Sequence, residues 1–95
     1  MPNHTATIVG SGPNGLCAAI RLAQAGFDVQ VLEAHSSPGG GMRSGSLEEA
    51  GFVHDHCSAI HPMALSSPFM GKLPLEEHGL EWVHPPAACA HPLDA

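Results

Sequence analysis

Four small or charged residues carry the first chemical signal in this chain. In "IVGSGPNGLCAAIRLAQAGFDVQVLEA", Ile8 to Ala34, glycines stand at Gly10, Gly12 and Gly15, and a single carboxylate, Glu33, follows 23 residues after Gly10. A helix that starts directly after a strand presents free N–H groups and a partial positive charge at its first turn. A diphosphate is a natural ligand there. On this reading Gly10 permits the tight turn, Gly12 lets the diphosphate approach the backbone, and Gly15 lets the helix pack closely on the strand. Pro13 and Asn14 complete the turn, and Pro13 suits the first helical position because its missing N–H is not needed there. Glu33 then stands where a carboxylate accepts hydrogen bonds from ribose hydroxyls, and it would repel a 2′-phosphate. The chemistry expected is binding of FAD or NAD rather than NADP.

These residues need a scaffold. Thr5–Val9 reads as a short buried strand that ends abruptly at Gly10. A helix is expected from Pro13 to Ala25, with Leu16, Ala19, Ile20 and Ala23 on one apolar face and Arg21 and Gln24 turned away. Gly26 should end it in a left-handed conformation. Phe27–Leu32 returns as a second strand, with Val29 and Val31 on one side. Strand, helix, strand makes the two strands parallel neighbours. Thr5–Glu33 spans 29 residues, close to the ~30 of a dinucleotide-binding βαβ unit.

A second glycine cluster follows in "SSPGGGMRS", Ser36 to Ser44. The doublet Gly39–Gly40 suggests another close backbone approach. Arg43 and Ser44 could bring a charge and a hydroxyl to phosphate or ribose. A plain loop between two elements is the competing reading.

Composition narrows the alternatives. The 95 residues carry a formal charge of −6 with only three basic side chains, Arg21, Arg43 and Lys72. That excludes a basic nucleic-acid surface and a polybasic membrane anchor. No apolar run approaches the roughly 20 residues of a membrane span. The start, Met-Pro-Asn-His-Thr, lacks the features of a signal peptide. Three widely spaced cysteines, Cys17, Cys57 and Cys89, read as free thiols in a reducing compartment. A cytoplasmic location is expected.

The residues Ile8–Ser44 resemble the N-terminus of FAD-dependent oxidoreductases related to phytoene desaturase and the flavin amine oxidases. The continuation "GFVHDHCSAIHPMALSSPFMGKLPLEEHGLEWVHPP" is similar to the phytoene dehydrogenase-like branch. The resemblance implies an α/β fold, a Rossmann-like FAD/NAD(P)-binding βαβ unit with an incomplete parallel sheet. It implies that Gly10, Gly12 and Gly15 carry the diphosphate of FAD, Glu33 the adenosine ribose, and Gly39 and Gly40 the doublet beside the cofactor. Arg often follows the doublet directly in that family; here Gly41 does, and Arg43 stands two positions on. Proteins of that family are several times longer, so the chain is expected to be a fragment lacking downstream domains. Residues 1–45 would be the dinucleotide-binding unit and 46–95 the start of the next region. No catalytic residue is assigned.

Other constellations are weaker. "HDHCSAIH" holds His54, Asp55, His56, Cys57 and His61, but without a second ligand pair at zinc spacing. Cys57 has no orienting group that would make it a nucleophile. Glu76, Glu77 and Glu81 read as a solvated acidic face, and Trp82 as a packing residue. In this half a strand is expected at Gly51–His54, a helical turn over Pro68–Lys72 capped by Ser66, and a strand at Leu80–His84. The alternatives to a flavoprotein segment are a stand-alone NAD- or ADP-binding module and a remnant that does not fold stably.

Overall fold

The computed structural model describes residues 4–47, 49–87 and 89–93. The chain forms two compact units, Met1–Ala59 and Ile60–Ala95.

The first unit is built on β1 (Thr5–Val9), α1 (Pro13–Gln24) and β2 (Asp28–Leu32). The strands run parallel in the register Thr5 to Asp28 through Val9 to Leu32. The Gly10 N–H extends the ladder by donating to the Leu32 carbonyl at 2.7 Å. Alternation along each strand turns Ala6, Ile8, Val29 and Val31 to the more buried side and leaves Val9 and Leu32 exposed on the other. That is the period-two pattern of a sheet covered on one face.

The helix ends where its residues dictate. The Gly26 N–H donates to the Ala23 carbonyl and the Phe27 N–H to the Leu22 carbonyl, which is the paired closure of a helix with glycine in the left-handed region. Phe27 is thereby committed to the helix end. β2 starts one residue later than the expected Phe27, with the Asp28 N–H on the His4 carbonyl at 2.8 Å.

The buried stripe of α1 differs from the expected one. Ala19 is buried, Gly15, Leu16 and Leu22 are half-buried, and Ile20 and Ala23 are exposed. The reason lies in the two smallest inward residues. Gly15 and Ala19 let the helix approach the strands most closely along their own line, and this turns Leu22 in and Ile20 out.

After β2 the first unit continues with a 3-10 turn, Gly40–Met42, and a two-residue antiparallel pair, β3 (Ser44–Gly45) with β4 (His54–Asp55). The strand expected at Gly51–His54 is thus reduced and shifted. Gly51 adopts a positive φ of 96°, and Phe52 and Val53 stay exposed without strand partners.

The second unit, Ile60–Ala95, holds two 3-10 turns, Met70–Lys72 and Leu75–His78. The first replaces the expected turn over Pro68–Lys72. Its N-cap is Phe69; the Ser67 hydroxyl accepts from the Met70 N–H at 3.2 Å, and Ser66 donates to the Met63 carbonyl and does not cap the turn. Leu80–His84 is not a strand. Extended residues become a strand only against a partner ladder, and the described residues of this unit contain no other strand to provide one. No helix among the described residues is long and apolar enough to cross a membrane.

Candidate functional site: the glycine turn and Glu33

The site is assembled at one end of the parallel pair, where β1 turns into α1 and β2 leaves the sheet. Gly10 makes the turn at φ 95°. Gly12 is the N-cap of α1 with φ −70° and ψ 175°, and Pro13 occupies the first helical turn. No acidic side chain occupies that turn, so the positive end of the helix is not neutralised locally. A Cβ placed on Gly12 would meet nothing within 4 Å. The space where a Gly12 side chain would stand is therefore open, as close approach of a diphosphate to the backbone requires. Asn14, also assigned to this turn, is exposed.

Gly15 is a different case. A Cβ there would lie 2.3 Å from the Gly10 carbonyl oxygen and 3.5 Å from the Ile8 side chain. Only glycine lets the helix sit this close to the strand that feeds it.

Glu33 follows β2 directly and reaches back to the turn. Its Oε2 accepts from the Ser11 N–H at 2.8 Å and the Ser11 hydroxyl at 2.5 Å. Its Oε1 accepts from the His35 N–H at 2.9 Å. The Ser11 hydroxyl, then the His35 and Ser11 N–H groups, hold the carboxyl down at about 2, with a smaller contribution from the Arg43 charge. Glu33 is a fixed anion at neutral pH, oriented before any nucleotide arrives.

The second glycine cluster folds onto the first. The Gly39 N–H donates to the Ser11 carbonyl at 2.9 Å. Gly40 stands at φ 57°, and a Cβ on it would fall 2.8 Å from the Gly12 Cα. The doublet is thus in backbone contact with the dinucleotide turn. Arg43 folds back across the same loop, its Cγ 3.1 Å from where a Gly39 Cβ would be and its Nη1 donating to the Ser37 carbonyl at 3.4 Å.

Of the residues the sequence singles out, Gly10, Gly12, Pro13, Gly15, Glu33, Gly39 and Gly40 are gathered around one turn, with Arg43 alongside. Ser44 is engaged elsewhere: it pairs with Asp55 across β3 and β4, its hydroxyl donating to the Asp55 carboxylate at 2.5 Å. The residue that sequence reasoning missed is Ser11. At 2% exposure it is the most buried residue described, and both its N–H and its hydroxyl serve Glu33. The only hint in the sequence is a polar residue between two glycines directly after an apolar strand.

The histidine-rich stretch forms no comparable site. Among the described residues no three of His, Cys, Asp and Glu come together as a metal would need. His54 and Asp55 are in β4.

This geometry is that of a nucleotide-binding βαβ unit, and comparison with known proteins agrees. Residues 8–72 match the family described as NAD(P)-binding Rossmann-like domain. The chain belongs to that family. It is also 52% identical over 48 residues to a zeta-carotene-forming phytoene desaturase of Myxococcus xanthus, which is 50% of this chain and 9% of that protein. It is 57% identical over 37 residues to a hydroxyneurosporene desaturase of Cereibacter sphaeroides, 39% of this chain and 8% of that one. A thiamine thiazole synthase of Thermotoga maritima is 52% identical over 40 residues, 42% of this chain and 16% of that protein. The chain thus spans under a fifth of the length of these curated relatives. No solved structure matches it. The chain is thus a dinucleotide-binding, Rossmann-like part of an oxidoreductase, and its cofactor is a small molecule.

Proposed function

We propose that this chain is the part of a phytoene dehydrogenase-like, FAD-dependent oxidoreductase that holds the ADP half of the cofactor. The whole protein would oxidise or desaturate an apolar or amine-like organic substrate. The observation that carries the reading is the placement of Glu33: an oriented carboxylate at the end of β2, bonded to the turn whose open helix N-terminus would take the diphosphate. A ribose beside Glu33 and a diphosphate before Gly12 are the two halves of one ADP group. The ionised carboxylate also disfavours a 2′-phosphate. The residues therefore fit FAD or NAD, and the desaturase names among the relatives support FAD.

In this role the flavin would supply the two-electron redox chemistry, and the residues described here supply position and charge at its adenosine end. Gly10, Gly12, Pro13, Asn14 and Gly15 bind the diphosphate. Glu33 orients the ribose. Gly39 and Gly40 seat the following loop against the turn, with Arg43 beside it, while Ser44 is held in the β3–β4 pair. We assign residues 1–45 to this unit and 46–95 to the start of the next region, with the remaining domains of the enzyme supplied outside this chain. The acidic balance supports partners other than nucleic acid, and three free thiols support a reducing, cytoplasmic setting.

A second reading has its own support. The thiazole synthase match covers much the same share of the chain as the desaturase matches, so the segment is not specific to one chemistry. A module that binds NAD or free ADP without flavin would look alike here. Fluorescence titration of FAD into the purified chain, with NAD in parallel, separates the two. Saturable FAD binding, tighter than NAD and lost on Gly12→Val or Glu33→Ala, is the expected result. Tighter NAD binding favours the module, and binding of neither refutes the module and leaves a fragment that does not hold the cofactor by itself.

A further inference from the structure

Glu33 is bonded unevenly. A carboxylate offers about four lone-pair positions, two on each oxygen. Oε2 accepts twice, from the Ser11 N–H and the Ser11 hydroxyl. Oε1 accepts once, from the His35 N–H. One position remains, and it is on Oε1. Ser11 cannot easily release Oε2, because at 2% exposure it has no solvent to turn to. A buried N–H and hydroxyl left without partners are costly. Ser11 is also held from its other side, where its carbonyl accepts the Gly39 N–H at 2.9 Å. Moving it to free Oε2 would pull on the glycine doublet as well.

We propose that Ser11 is a positioning residue that makes Glu33 an acceptor for one ribose hydroxyl: it commits Oε2 to the protein and leaves only Oε1 for the nucleotide. The inference rests on the nucleotide reading above and goes beyond it by specifying how the ribose is read. The two hydroxyls of the adenosine ribose are then unequal. One is gripped by a fixed carboxylate, and the other makes no bond to Glu33. In this arrangement the serine between the first two glycines acts as a specificity determinant, although it would not touch the ligand itself.

Calorimetric titration of the chain with ADP, 2′-deoxy-ADP and 3′-deoxy-ADP tests this. Loss of the gripped hydroxyl should weaken binding by about tenfold or more, as expected for a hydrogen bond to a charged group, and loss of the other by less than about twofold. Ser11→Ala removes the hydroxyl and frees one position on Oε2, the backbone N–H keeping the other, so both deletions should then weaken binding; a merely structural role for Ser11 would weaken all three ligands in proportion. Comparable losses for the two deoxy nucleotides with the unaltered chain overturn the proposal while leaving the nucleotide reading intact. Failure of ADP to bind overturns both. If Ser11→Ala does not fold, the comparison with the unaltered chain decides alone.

Discussion

Gly12 and Gly15 are three residues apart in one motif, and the structure gives them separable jobs. Replacing each should damage a different property. At Gly15 a Cβ would lie 2.3 Å from the Gly10 carbonyl oxygen, with backbone on both sides of the clash. Neither group can rotate away, so the start of α1 must lift from β1. Overpacking of this kind costs about 1–3 kcal/mol, and a rigid backbone contact belongs near the upper end. Alanine in place of glycine within a helix returns up to about 1 kcal/mol. Gly15→Ala should therefore destabilise the chain by about 2 kcal/mol, a large share of what a domain of this size has. At Gly12 the position is open, and φ −70° with ψ 175° is extended backbone that any residue adopts. Gly12→Asp introduces a favoured N-cap side chain and a negative charge at the positive helix end, together about 0.5–1 kcal/mol in favour of folding. The same carboxylate stands where the diphosphate would bind and repels it. Urea unfolding followed by far-UV circular dichroism, with an ADP titration on each variant, reads both properties. The expected result is Gly12→Asp folded at least as stably as the parent but unable to bind ADP, and Gly15→Ala clearly less stable. Equal losses of stability in the two variants, or undiminished ADP binding by Gly12→Asp, would refute the division of labour.

Three further outcomes are expected. Folding lowers the Glu33 carboxyl from its ordinary 4.5 to about 2, so its contribution to stability is complete above pH 4.5 and is lost as the pH falls through about 2; a carboxyl carbon NMR titration should find that low midpoint, and Ser11→Ala should raise it. Ala19→Leu at the one buried apolar position among the described residues should cost about 1–3 kcal/mol, whereas Val9→Thr, at 84% exposure, should change stability by no more than about 0.5 kcal/mol in thermal unfolding. Gly40→Ala places a Cβ 2.8 Å from the Gly12 Cα at a positive φ; hydrogen exchange at the Gly39 amide should speed up as the doublet loop parts from the turn, and unchanged protection there would contradict the packing described.

Much of the first unit could be read in advance because its signals are local. The strand to Val9, the proline at the helix start and the glycine after its end each act on their immediate neighbours, and the observed bounds fall within a residue of the expected ones. The identity of the inward helix residues was less legible. Periodicity alone placed Ile20 and Ala23 on the buried face, but the close approach at Gly15 sets the line of contact, and only three-dimensional packing reveals it. The second half was poorly legible for a related reason. Leu80–His84 and Gly51–His54 have strand-like composition, yet a strand exists only where another strand supplies its hydrogen bonds.

The residue types and spacings determined by themselves that this chain makes a parallel strand pair around a helix, and that glycines and a carboxylate meet at its end. Both follow from backbone sterics and side-chain period, which act over a few residues. Tertiary structure alone decided what those groups do to each other. Ser11 and Glu33 are 22 positions apart, and their hydrogen bonds exist because the crossover brings the ends of β1 and β2 side by side. The same juxtaposition settles the Gly39–Gly40 loop on the first turn and makes Glu33 an anion that is oriented in advance. Those couplings depend on distances in space that no spacing along the chain encodes.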